Sequence, residues 1–165
     1  MQKKPLLAEN DKKYVWILFN TFGNRADTDK VGESMFLTKE CDYAIRVVRA
    51  LLDYEKKTVK TICEREHVPF NFAYKILKKL EKNGMVHSVR GSHGGYQLSK
   101  EPARISIYDI ISTINENLYI NECLKPGHDC PHNSDGIRCT VHEKLIFMQS
   151  ELIDTLKATT MDMFL

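Results

Sequence analysis

The sequence predicts a mainly α-helical protein with a small β wing. Three observations support this fold class. Three short amphipathic segments follow one another between residues 38 and 82, a glycine-rich hairpin spans residues 85–98, and a long apolar stripe begins after residue 140. Three helices followed by a hairpin describe a winged helix-turn-helix, here joined to a long C-terminal helix that we expect to form a dimer.

Residues 1–34 have only a weak pattern, in which a short apolar run at 14–22 is compatible with a strand or one turn of helix. The strong pattern begins after Met35. Codons for Gly32, Glu33 and Ser34 can be purine-rich, as in a bacterial ribosome-binding site. We therefore expect Met35 to be the working start and residues 1–34 to be an over-extended gene start, with a disordered arm as the alternative. A winged-helix domain is expected at 35–104, followed by a loop with dimerisation helices at 105–165.

The first two helices are predicted from the spacing of their apolar residues. Thr38 is expected to cap the first helix, and the second is expected to end near Val68 and Pro69. Cys63 lies on the apolar side of the second helix, and we expect it to be a packed thiol because free cysteines are usually buried. The apolar positions of the first helix are Cys41, Ala44, Ile45, Val48, Leu51 and Leu52.

The third helix is predicted over residues 71–82 and ends at Asn83 and Gly84, since glycine commonly follows a helix. It has an apolar face and a lysine-rich face. The residues expected to point inward are Phe72, Ala73, Ile76, Leu77 and Leu80. Those expected to point outward, with Tyr74 near them, are Asn71, Lys75, Lys78, Lys79 and Lys82.

Residues 85–98 are predicted to form the wing, with glycines that permit a tight turn and close backbone approach. Arg90 lies at the mouth of this hairpin, and Ser92 and His93 lie at its tip. We expect the third helix to enter the major groove of DNA and Arg90 to reach the backbone or a minor groove. The candidate DNA contacts are Thr38, Asn71, Tyr74, Lys75, Lys78, Lys79, Arg90, Ser92 and His93.

The charge distribution agrees with a polyanionic partner. Residues 38–104 contain fourteen Lys/Arg and eight Asp/Glu, a net charge of +6, whereas residues 105–165 have a net charge of −5. A basic middle segment beside an acidic end indicates that the middle segment binds nucleic acid.

Two further helices are predicted after the wing. Ser106 and Asp109 form a capping pattern for a fourth helix with an isoleucine face. The last helix has an apolar stripe too broad for a solitary helix, so we expect it to pack across a two-fold axis. The residues of that stripe are Val141, Leu145, Ile146, Met148, Leu152, Ile153 and Leu156.

A cysteine-containing loop separates these two helices. Six residues separate Cys123 from Cys130, eight separate Cys130 from Cys139, and His142 follows. Structural zinc sites usually use ligand pairs roughly two to four residues apart, and the close pair here is Cys139 with His142. A wide loop of thiols suits an iron–sulfur cluster, with zinc or unliganded surface thiols as alternatives.

Several function classes fit the sequence poorly. No apolar run approaches the roughly twenty residues of a membrane span, and no secretory signal is recognisable. The odd number of cysteines, 5, argues against a disulfide scaffold. No Ser-His-Asp or paired-carboxylate arrangement indicates an enzyme.

From Met35 onward, about four fifths of the chain resembles the IscR/NsrR/CymR family of bacterial winged-helix regulators, the Rrf2 family. The matching segments are MFLTKECDYAIRVV, VPFNFAYKILKKLEKNGMV, VRGSHGGYQL, ISIYDIISTI and the three-cysteine loop. The resemblance implies a cytoplasmic homodimer that binds a partly palindromic operator. It also implies that the loop holds an iron–sulfur cluster, either 2Fe–2S or 4Fe–4S, which senses redox, nitric oxide or cluster status.

The resemblance implies a ligand set for that cluster. Cys123, Cys130 and Cys139 match the three family thiolates. Two residues are candidates for the fourth ligand: Asp42 of the partner subunit, which we favour because a carboxylate is a weak and displaceable iron ligand, and His142. The cysteine-metabolism branch of the family lacks this loop and works through a protein partner, so control by a protein partner is an alternative function.

Overall fold

The structure is a computed structural model that describes residues 37–91, 94–133 and 139–165. The predictions for residues 1–34, for Met35 as the start and for Ser92 and His93 lie outside the described residues. In chain order, the main elements are α1 (Lys39–Ala50), α2 (Val59–Glu66), α3 (Phe70–Lys82), β1 (Val86–Val89), β2 (Gly95–Leu98), α4 (Ile107–Ile114) and α5 (Thr140–Ala158). A mainly helical protein with a small wing is therefore confirmed.

Helix α1 begins where the sequence predicts. The hydroxyl of Thr38 accepts a hydrogen bond from the backbone N–H of Cys41 at 3.3 Å, so it satisfies one of the amides that the first turn leaves unpaired. The buried side of this helix faces α3 and α4 in the core, and it includes Cys41, Ala44 and Val48. Thr38 is thus confirmed as the cap.

Helices α2 and α3 form the helix-turn-helix. His67 adopts a left-handed conformation, with φ of 53°, and ends α2, while Pro69 occupies the N-cap position of α3. The inward assignment of Phe72 is wrong, because its side chain is 43% exposed. Successive helical residues differ by about 100° around the axis, so Phe72 lies to one side of the buried stripe that Ala73 begins.

The wing is an antiparallel pair in which Val86 faces Leu98 and Val89 faces Gly95. It is attached to the segment before α2, since Lys57 and Tyr96 exchange two backbone hydrogen bonds of 2.9 and 2.8 Å. A Cβ at Gly95 would lie 2.5 Å from the carbonyl oxygen of Lys57, so only glycine allows this close approach.

The C-terminal segment returns to the same core. Ser106 and Asp109 form the predicted capping box of α4, whose isoleucines are buried. The segment that follows α5 pairs with the start of α4. The N–H of Ile107 donates to the carbonyl of Thr159, and the N–H of Met161 donates to the carbonyl of Ile105, both at 2.9 Å. Met161 is fully buried, which holds the end of α5 against the start of α4. Within the described residues, no helix is long and apolar enough to cross a membrane.

Candidate DNA-binding surface and cysteine loop

The outer face of α3 displays Asn71, Tyr74 and Lys75 to solvent, as predicted. Lys75 makes no ion pair with any residue that the structure describes. An unpaired ammonium beside an amide and a phenol can contact phosphates and base edges at the same time. Their role in DNA binding stays a prediction.

Lys78 links α3 to the wing instead of extending freely. Its ammonium lies 2.8 Å from Glu81 and about 6 Å from the ring centroids of Tyr74 and Tyr96. The other carboxylate oxygen of Glu81 accepts from the N–H of Ser88 in β1 at 3.1 Å. The hydrogen bond from Lys78, reinforced by that from Ser88, lowers the pKa of Glu81 to about 2. This carboxylate therefore fixes the wing relative to α3.

Lys79 also has internal partners. Its ammonium lies 3.0 Å from the carboxylate of Glu40 in α1 and donates to the carbonyl of Ile114 at 3.3 Å. These contacts connect α3 with α1 and α4, one helical turn after Lys75. Lys79 remains a predicted DNA contact, but in this structure its charge is already compensated.

The remaining predicted DNA contacts differ in availability. The hydroxyl of Thr38 is occupied by the cap and by a 3.3 Å contact to the thiol of Cys41. Arg90 is exposed at the end of β1, where it can reach a DNA backbone. Sequence reasoning missed two exposed aromatic residues at the start of α3, Phe70 and Phe72. Both flank the predicted DNA contact Asn71 in the sequence, and that position is the signal by which they could have been found.

In its described part, the cysteine loop has two short 3₁₀ turns, Glu122–Leu124 and Pro131–Asn133. Its beginning is attached to α5, because the N–H of Ile120 donates to the side-chain oxygen of Gln149 at 3.1 Å. Near its end, the N–H of Cys139 donates to the side-chain oxygen of Asn133 at 3.3 Å. The thiols of the loop cysteines are free and partly buried, and Cys139 is the N-cap residue of α5.

The described residues do not assemble these thiols into one ligand set: among them, no three Cys, His, Asp or Glu side chains are close enough together to hold a metal ion. The donor chemistry nevertheless fits a metal cluster, since three uncombined thiols are available. In addition, Nδ1 of His142 is buried and has no hydrogen-bond partner among the described residues, which is uncommon for a polar atom. A ligand bound at this nitrogen would satisfy it.

Two other residues near α1 and α2 bear on the metal hypothesis. Asp42 is exposed and receives Nε of Arg46 at 3.0 Å on both carboxylate oxygens. Cys63 is partly buried and packs against the core, and burial raises the pKa of its thiol. A raised pKa disfavours the thiolate form that metals bind, in agreement with a packing role for Cys63.

Comparison with known proteins decides the family. A family model described as Rrf2, iron-dependent transcriptional regulator, matches residues 37–165. The chain belongs to the Rrf2 family. It is therefore related to transcriptional regulators and not to enzymes, as the sequence predicts.

Curated relatives and solved structures agree with the Rrf2 assignment. The chain is 30% identical to the HTH-type transcriptional regulator IscR of Vibrio vulnificus, over 77% of this chain and 75% of that protein. It is 37% identical to the regulator NsrR of Geobacillus kaustophilus, over 58% of this chain and 68% of that protein.

Two solved structures share the fold of this Rrf2 chain. IscR of T. potens covers 76% of this chain and 82% of its own at 22% identity, with a TM-score of 0.60. CymR, the global cysteine regulator of B. subtilis, covers 76% and 92% at 20% identity, with a TM-score of 0.63.

Proposed function

We propose that this Rrf2 regulator is a cytoplasmic homodimer that binds operator DNA and senses redox, nitric oxide or iron–sulfur status through a cluster on the 123–142 loop. The observation that supports the sensing role is a loop with three free, partly buried thiols, followed by His142, whose buried Nδ1 has no hydrogen-bond partner among the described residues. Burial of an unsatisfied polar atom costs about 1–3 kcal/mol, so a ligand there would stabilise the fold.

Cys123, Cys130 and Cys139 would hold the cluster, which supplies an electron-accepting centre that oxidants and nitric oxide can modify. The fourth position has two candidates. The sequence favours Asp42 of the partner subunit, because a carboxylate is a weak and displaceable iron ligand. In the structure, however, Asp42 is engaged by Arg46 within its own helix. The orphaned nitrogen of His142 favours His142, and the two alternatives are separable by mutation.

The homodimer is supported by the surface of α5. No residue of this 19-residue helix is buried, and its exposed apolar residues include Val141, Ile146 and Met148, with Phe147 beside them. A helix with this much uncovered apolar surface is typical of a subunit interface. A second copy packed along α5 about a two-fold axis would relate the two α3 helices by the same symmetry as the half-sites of a partly palindromic operator.

The DNA-binding role is supported by the geometry of α3 and the wing. Asn71, Tyr74 and Lys75 share an exposed face, and Glu81 connects that face to β1 through Ser88. A rigid helix and wing present base-reading and phosphate-binding groups at the same time. Family membership supports the same role, because the family model describes transcriptional regulators.

The experiment that tests sensing is anaerobic purification of the full chain, followed by visible absorbance and assays of iron and acid-labile sulfide. We expect a coloured protein containing both iron and sulfide, and we expect Cys123→Ala, Cys130→Ala or Cys139→Ala to abolish the colour. Cys63→Ala is the matched control and should remain coloured. Stoichiometric zinc without sulfide would instead support a structural zinc site.

The fourth ligand is tested by comparing Asp42→Ala with His142→Ala. Each variant is measured for its cluster spectrum and for its affinity for operator DNA. If His142 is the ligand, only His142→Ala alters the spectrum. A changed spectrum in Asp42→Ala alone would favour the carboxylate of the partner subunit.

A further inference from the structure

The first turn of α3 exposes two phenyl rings. Phe70 is 57% exposed and Phe72 is 43% exposed, and they lie on either side of Asn71. Two large apolar side chains in water at the same helical turn are unfavourable unless a partner covers them. Position matters here, because the N-terminal residues of a recognition helix are those that meet base edges.

The ring of Phe72 is held in place. It packs against Tyr43 of α1 in an edge-to-face arrangement, with centroids 5.5 Å apart and planes inclined by 64°. Such a pair restricts the orientation of both rings, so little side-chain entropy is lost when a partner binds. Phe72 is therefore a preorganised apolar contact at the edge of the helix face.

The surroundings of the two rings are basic. The ammonium of Lys39 lies 5.8 Å from the ring centroid of Tyr43, and Lys75 and Lys78 follow on the exposed side of α3. A partner that covers the phenyl rings must therefore also tolerate several positive charges. Duplex DNA satisfies both conditions, since its phosphates are anionic and its major groove presents one apolar group, the C5-methyl of thymine.

We propose that Phe70 and Phe72 are specificity-determining residues that contact thymine methyl groups on either side of the base nearest Asn71. A phenyl ring has no hydrogen-bond donor or conventional acceptor, so it gains nothing from the polar edges of guanine, cytosine or adenine. Removing a methyl group from that contact should weaken binding about fourfold, the affinity equivalent of one buried methylene. This inference rests on the proposed DNA-binding role.

The test uses the full-length chain and an operator enriched from random duplexes by that chain. Each thymine of the half-site is replaced in turn by uracil, which differs only in the missing methyl, and affinity is measured by fluorescence anisotropy. We expect about fourfold weaker binding at thymines flanking the Asn71 position. Phe70→Ala should remove the discrimination at one of them and Phe72→Ala at the other.

Phe164→Ala is the matched control, because Phe164 is 42% exposed but lies in the C-terminal turn. It should discriminate thymine from uracil as the unmodified protein does. The ratio of the affinities for thymine and uracil duplexes is measured within one variant, so a general loss of stability cancels.

Equal binding of thymine and uracil by the unmodified protein would overturn the proposal, and that measurement needs no variant. Persistent discrimination in both phenylalanine variants would also overturn it. If no sequence is enriched, the DNA-binding role itself fails.

Discussion

Lys75 and Lys79 are one helical turn apart on α3, and the structure predicts opposite consequences of removing them. Lys75 is exposed and has no ion-pair partner among the described residues, whereas Lys79 is bound to Glu40 and to the carbonyl of Ile114. We therefore expect Lys75→Ala to affect DNA binding and Lys79→Ala to affect mainly the stability of the fold.

The expected magnitudes follow from these contacts. Each phosphate contact contributes about −0.9 to the slope of log affinity against log salt concentration, so losing Lys75 from both subunits should flatten that slope by about 1.8. When the salt concentration rises from about 50 to 200 mM, the affinity of Lys75→Ala for DNA would then fall by a factor roughly tenfold smaller than the affinity of the unmodified protein. Removing the partly exposed Lys79 pair should reduce the free energy of unfolding by about 1 kcal/mol and the Tm by about 4 °C.

The assays are anisotropy titrations at several salt concentrations and thermal unfolding followed by circular dichroism. Lys75→Ala should retain its Tm and show the flatter slope, and Lys79→Ala should retain the slope and melt earlier. If Lys79→Ala flattens the slope as much as Lys75→Ala and melts normally, Lys79 leaves Glu40 to bind DNA, and the reasoning from the unbound structure is refuted.

Three further predictions concern stability and assembly. Glu81 has a pKa of about 2 when folded, below its ordinary 4.5, so it stabilises the protein above pH 4.5 and that contribution disappears as the pH falls toward 2. In urea titrations from pH 6 to 3, Glu81→Gln should therefore lose less stability than the unmodified protein, and equal losses would contradict the role of Lys78. The side chain of Glu66 is only 3% exposed beside Arg49, so Arg49→Met should reduce the free energy of unfolding by about 2 kcal/mol because it leaves a buried carboxylate largely unpaired. The double variant, Arg49→Met with Glu66→Leu, should recover most of that loss in the same urea titration. Phe147 is 63% exposed on α5, so Phe147→Asp should convert a dimer into a monomer in light scattering, and an unchanged mass would remove α5 from the interface.

Much of the fold was predictable because its signals are local. The cap at Thr38, the capping box of Ser106 and Asp109 and the left-handed Gly84 after α3 each involve residues within one turn of the chain. The isoleucines of α4 are buried as predicted, since a regular apolar spacing leaves one helical face to pack. The identity of the exposed residues Asn71, Tyr74 and Lys75 on α3 followed from the same periodicity.

The tertiary structure decided which side chains remain available for a partner. Hydrophobicity alone assigned Phe72 to the core, but the packing of α3 on α1 leaves its ring beside Tyr43 at the surface. Lys79 looked free in the sequence, and the approach of α1 and α4 compensates its charge. Phe147 lay outside the predicted stripe of α5, yet it is among the most exposed apolar residues described there. Periodicity determines the face of a helix to which a residue belongs. Only the neighbouring elements determine whether that face is covered, and those contacts join residues that are distant in the sequence.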